Sequence, residues 1–106
     1  MLEVNAKIWL EMDNKCIIGK GRAELLNRIK ELGSLRKAAE SMDMSYSHAW
    51  EEIKEISEAA GGPVIEAERG GKGGGSSHLT ELGEKILKKF DEEKESLDSY
   101  LSERND

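Results

Sequence analysis

Apolar residues at Val4, Ala6, Ile8, Leu10 and Met12 alternate with Glu3, Asn5, Lys7, Trp9 and Glu11. A period of two marks a half-buried strand. Asp13-Asn14 then has turn chemistry, and Lys15-Cys16-Ile17-Ile18 reads as a short return strand. A two-stranded ribbon is marginal alone, so this one must pack on something. Trp9 falls on the polar face, where an aromatic serves either an interface or cover over a helix, and cover is the expectation. Gly19-Lys20-Gly21 reads as a flexible joint. From Arg22 to Leu32 the period becomes helical, with Leu25, Leu26, Ile29 and Leu32 on one side.

The chain is organised around Gly33 to Ser57. Gly33 can close the preceding helix and Ser34 can cap the next. Leu35, Ala38, Ala39 and Met42 recur at helical spacing and make a small apolar face. Adjacent alanines let another helix approach closely. Met42-Asp43-Met44 turns the chain, and Ser45 is a second N-cap. Ala49, Ile53 and Ile56 give the next helix an inward stripe, leaving Tyr46, Ser47, Trp50 and Lys54 near its outward face. Two short helices with a tight joint, the second exposing its N-terminal part, are the pattern of a helix-turn-helix. The same pattern also suits a helical hairpin buried in any small α domain.

The second helix runs on to Ala60 and ends at Gly61-Gly62-Pro63. Val64 to Glu68 is a short strand, and Ser77-His78-Leu79 is its return. Between them lies Arg69-Gly70-Gly71-Lys72-Gly73-Gly74-Gly75-Ser76. This is not a phosphate-binding P-loop, because Gly73 stands where a Ser or Thr must come after Lys72. It reads either as a surface loop or as the tip of a β-hairpin wing. In a wing, amides of Gly71 and Gly73 can lie close to a phosphate backbone while Arg69 and Lys72 supply charge. Thr80 caps a last helix from Glu81 to about Ser102, with Glu81 and Glu84 suited to its positive end. Leu82, Ile86, Leu87, Phe90, Leu97, Tyr100 and Leu101 form its stripe, which fails at residues 91–95. Such a helix packs on its own domain as far as Phe90 and then runs into solvent or along a partner.

The expected fold is therefore mainly α with a small β component. It is a single winged helix-turn-helix domain, with an N-terminal β-ribbon (1–20), helix 1 and the helix-turn-helix (21–60), a wing (63–79) and a long C-terminal helix (80–104). The 106 residues suit one domain. No apolar run approaches a membrane span and no signal peptide is visible, so the cytoplasm is the expected location. The single Cys16 excludes an internal disulfide, and with two scattered histidines it makes no metal cluster. Ser45-Tyr46-Ser47-His48 sets hydroxyls beside a histidine, but no acid is placed to orient it. Neither an enzyme nor a cofactor is expected.

Charge complicates a nucleic-acid reading. The net charge is −6, whereas DNA binding rests on phosphate neutralisation by Lys and Arg. Half of that excess lies in residues 84–106, with five Lys and Arg against eight Asp and Glu, where it can sit away from DNA. Arg36, Lys37, Lys54, Arg69 and Lys72 are basic residues in and after the helix-turn-helix, but Glu51, Glu52 and Glu55 make its second helix acidic.

Several stretches together resemble a known family. They are Lys7-Ile8-Trp9-Leu10, Glu31-Leu32-Gly33-Ser34 with Ala38-Ala39, and Met44-Ser45-Tyr46 to Ala49-Trp50. Arg69 with the glycine run, and Leu79-Thr80 with Gly83, complete the set. In this order they resemble the N-terminal DNA-binding domain of ModE-type molybdate-dependent transcriptional regulators, winged helices related to LysR-type regulators. The resemblance implies a dimeric winged helix whose partner is double-stranded DNA. It places Ser45, Tyr46, Ser47 and Trp50 on the recognition helix and Arg69 and Lys72 on the wing; His48, in the same turn, is a further candidate for DNA contact. Nothing here resembles the family's molybdate-binding domains, so sensing is expected to fall to a separate sensor protein. The alternative is a winged helix that binds a protein partner and binds DNA weakly or not at all.

Overall fold

A computed structural model describes residues 1–68 and 75–106. Strands β1 (Leu10–Met12) and β2 (Lys15–Ile18) form an N-terminal ribbon, followed by helices α1 (Lys20–Leu32), α2 (Leu35–Ser41) and α3 (Tyr46–Ala60). Strands β3 (Ile65–Glu68) and β4 (Ser76–Leu79) make a second ribbon, and α4 (Glu81–Arg104) closes the chain. The fold is mainly helical with two small antiparallel sheets, as the apolar pattern predicts. Among the described residues no helix is long and apolar enough to cross a membrane.

Asp13 and Asn14 both take positive φ, the geometry of a two-residue hairpin turn that tolerates these residues. The register of β1 against β2 slips between Leu10 and Glu11. A bulge of this kind lets neighbouring residues face the same way. Ile17 and Ile18 are accordingly both buried and fasten the ribbon to the helices. The strand expected over Val4–Met12 is cut to Leu10–Met12. A strand extends only as far as its partner, and β2 has four residues before Gly19 starts a helix. The first nine residues form an arm whose Val4 amide and carbonyl are both held by the Asn105 carboxamide, at 3.0 and 2.9 Å. Trp9 stands beside Gly19 but is 55% exposed, so the expected cover over a helix is only partial.

The expected joint at Gly19-Lys20-Gly21 is shorter than predicted, since α1 begins at Lys20 and takes in Gly21. Leu25, Leu26 and Ile29 are buried, but Leu32, the last residue of α1, is exposed. Gly33 ends α1 in the left-handed conformation with φ 69°. Behind α2 and α3 lies one core: Leu25, Leu26 and Ile29 of α1, Leu35, Ala38 and Ala39 of α2, and Ala49, Ile53 and Ile56 of α3. Ile86, Leu87 and Phe90 close it from α4. No residue of α4 beyond Phe90 is buried, so the stripe fails where its sequence breaks.

The second ribbon pairs Ile65 with Leu79, Glu66 with His78, Ala67 with Ser77 and Glu68 with Ser76. It is anchored at its base. Ser77 N–H donates to the Gly33 carbonyl at 2.9 Å, and the Thr80 amide donates to Val64 at 3.0 Å. The wing is thereby tied both to the α1–α2 joint and to the start of α4.

Candidate nucleic-acid interface

The geometry of α3 begins with its caps. Ser34 Oγ accepts from the Lys37 amide at 3.2 Å and starts α2; Ser45 Oγ accepts from the His48 amide at 3.1 Å and starts α3. Each hydroxyl satisfies an amide that no helical carbonyl reaches. Between them Asp43 takes φ 53° and the Met44 amide returns to the Ala39 carbonyl, which makes the joint tight. Ala38, Ala39 and Ala49 are at most 1% exposed, so α2 and α3 meet over small side chains. Their opposite faces are left to solvent.

Tyr46 and Trp50 are each 39% exposed and meet edge to face, with ring centroids 6.3 Å apart. Arg36 reaches over from α2 and places its guanidinium 4.3 Å from the Tyr46 ring centre. Such a stack pre-orders a cation beside the aromatic pair. The two rings stand on the flank of α3 that faces the wing. There they line an apolar groove with Ile53, Ser57, Pro63 and Ile65. A neighbouring cleft brings Arg36 and the rings against Glu68, Ser76 and Ser77. Ser47 and Lys54 are exposed on α3, and Lys37 on α2. Five of the expected contact residues thus line these two clefts, Arg36, Tyr46, Ser47, Trp50 and Lys54, while Ser45 caps α3 and Lys37 is exposed on α2.

His48 does not join them. It lies on the other flank of α3, lining a cleft with Cys16, Arg22, Met42, Met44 and Glu52. Its Nε2 is 3.7 Å from Glu52. Helical geometry explains this, because a step of two residues from Tyr46 to His48 crosses the helix. Arg69, Gly71, Lys72 and Gly73 lie outside the described residues. On the strands that flank them, His78 Nε2 meets Glu66 at 3.1 Å. Among the described residues no group of three or more His, Cys, Asp or Glu is placed to hold a metal.

The acidity of α3 looks different in three dimensions. Glu52 and Glu55 turn back onto Arg22 of α1. Glu51 and Glu58 remain exposed and line the groove beside the wing. The spacing of three between Glu52 and Glu55 puts both on one helix flank, which the sequence does show. Their partner lies 30 and 33 residues away, and no local pattern announces it.

Residues 22–84 match the model of the family described as bacterial regulatory helix-turn-helix protein, lysR family. The chain belongs to this family. The match runs from α1 through the wing into the first turn of α4, the elements that build and brace the helix-turn-helix. Among curated proteins the chain is similar to the transcriptional regulator ModE of Yersinia pestis, 29% identical over 90 residues, covering 85% of this chain and 34% of the relative. It is similar to the DNA-binding transcriptional dual regulator ModE of Escherichia coli at the same identity and coverage. The molybdenum-pterin-binding protein MopB of Rhodobacter capsulatus is 37% identical over 70 residues, covering 66% of this chain and 26% of that protein. The resemblance read from the sequence is borne out. The chain spans about a third or less of the length of these relatives. Among solved structures, ArgP from Mycobacterium tuberculosis superposes with a TM-score of 0.61 at 21% identity, over 79% of this chain and 30% of that one. That likeness carries the fold.

Proposed function

We propose that this lysR-family helix-turn-helix reads double-stranded DNA as part of a transcriptional regulator, with α3 in a major groove and the wing against flanking phosphates. The observation that carries this is the capped N-terminus of α3. It presents Tyr46, Ser47 and Trp50 to solvent, with Arg36 stacked beside them and the wing alongside. Residues at the N-terminal part of a recognition helix are those that reach base edges. Ser47 can hydrogen-bond a base, and the two rings can contact thymine methyls or sugars. Arg36, Lys37 and Lys54 are suited to phosphates. Arg69 and Lys72, with amides of Gly71 and Gly73, are assigned the same role on the wing. Two copies would present two recognition helices to an inverted repeat. Molybdate sensing is not assigned to these residues.

Enrichment of binding sequences from a random duplex library tests the reading. A common inverted repeat is expected, with affinity that falls as salt rises. A library that returns no enriched sequence, or binding indifferent to salt, would overturn it. The competing reading is a protein-interaction module, favoured by Glu51 and Glu58 beside the groove. It predicts retention of a protein partner and no duplex binding at low salt.

A further inference from the structure

Arg22 bonds to three groups on two other elements at once. Its Nε donates to Glu52 Oε2 at 2.6 Å, its Nη1 donates to the Ile17 carbonyl at 3.1 Å, and its Nη2 donates to Glu55. One guanidinium on α1 therefore holds the end of β2 and two carboxylates of α3. A planar fork spreads its donors over three nitrogens, one for each acceptor, whereas an ammonium offers all of its donors from one point. The Arg22 and Glu52 side chains are each 24% exposed, while Glu55 is 53% exposed. Ion pairs this open to water contribute little to folding. Their effect on a polyanion approaching α3 is another matter, because phosphates lie along the whole helix and two unpaired carboxylates would repel them.

We propose that Arg22 is a positioning residue for DNA binding: it draws Glu52 and Glu55 onto the α1 flank and offsets one of their two negative charges, so that an acidic helix can approach phosphates. This rests on the DNA reading above. Glu52 also faces His48, whose Nε2 stands 3.7 Å away on the same flank of α3. Arg22 touches no DNA in this scheme; it acts through the two glutamates.

The test compares wild type, R22Q, E52Q/E55Q and R22Q/E52Q/E55Q. Each is titrated by fluorescence anisotropy with a random-sequence duplex of about 30 base pairs at ~50 and ~200 mM salt. Each is also melted. R22Q is expected to weaken binding roughly three- to tenfold at low salt, with the gap narrowing at high salt as charges are screened. E52Q/E55Q is expected to bind as well as wild type or better. The decisive variant is the triple one. It lacks the clamp as fully as R22Q does, yet is expected to return to within about twofold of wild type, because no uncancelled carboxylates remain. A folded R22Q that binds like wild type overturns the proposal. So does a triple variant as weak as R22Q, since Arg22 would then act only by holding the fold. If wild type itself binds no duplex at ~50 mM salt, the DNA reading falls and takes this proposal with it.

Discussion

A methyl group at Gly83 would stand 2.2 Å from the Val64 carbonyl oxygen, far inside contact distance. The clash is with backbone, and that backbone is pinned. The Thr80 hydroxyl donates to Pro63 at 2.7 Å while accepting from the Gly83 amide at 3.1 Å. Gly83→Ala is therefore expected to cost roughly 3 kcal/mol, read as a lowered urea midpoint, by prising the wing base from α4. A neutral result would mean that the wing and α4 separate easily. Tyr46 and Ser47 carry a different expectation. Both are exposed, so neither substitution should cost much stability. Tyr46→Ala or Ser47→Ala should instead change discrimination between enriched and scrambled sites by roughly 1–3 kcal/mol per lost base contact. Equal weakening on both kinds of site would move these side chains from bases to phosphates.

At the scale of elements, the features legible in the sequence were local. Ser34, Ser45 and Thr80 each accept the predicted capping bond, because a cap needs only the next three residues. The turn at Asp13-Asn14 and the ends at Gly33 and Gly61 come from φ preferences carried by single residues. The hidden features depend on partners far along the chain. β1 stops where β2 runs out, Arg22 finds Glu52 and Glu55, and Val4 finds Asn105. Helix α4 shows both cases. Its burial ends at Phe90, as its stripe foretells. Across and past that point Lys88–Glu92, Lys89–Glu93 and Lys94–Asp98 pair along the helix surface, which supports helix without requiring a core. Phe90 is spent on the chain's own core, whereas Leu97 and Leu101 remain half-buried and Tyr100 exposed. Deleting residues 91–106 is expected to leave the helix-turn-helix folded while weakening self-association and DNA affinity together. Sedimentation velocity beside the DNA titration checks this. An unchanged dimer would place the interface on the first ribbon, where Trp9 and Met12 are exposed.

Over the whole molecule the charge is negative, yet it is unevenly placed: the second half of α4 is acidic, and two carboxylates of α3 share one guanidinium of α1. Among the described residues, most helix N-termini that could hold a small oxyanion also have an amide already bonded. Three of the four helix N-termini already bond their own Ser or Thr hydroxyls. Residues 1–106 are accordingly expected to give no calorimetric signal with micromolar molybdate and no change in DNA affinity; stoichiometric binding would reverse that view. The Asn105 carboxamide, clasped to the Val4 peptide across a sequence separation of 101, has one more consequence. It makes the backbone a nearly closed ring, in which the order of elements is fixed but the starting point is arbitrary. Rings of this kind tolerate being cut elsewhere, provided the new opening is an exposed turn. Joining Asp106 to Met1 through a short glycine-serine linker and opening the chain between Asp13 and Asn14 should return the same helical circular dichroism and a cooperative melt. A permutant that stays unfolded would show that the clasp does not hold the two ends together in water.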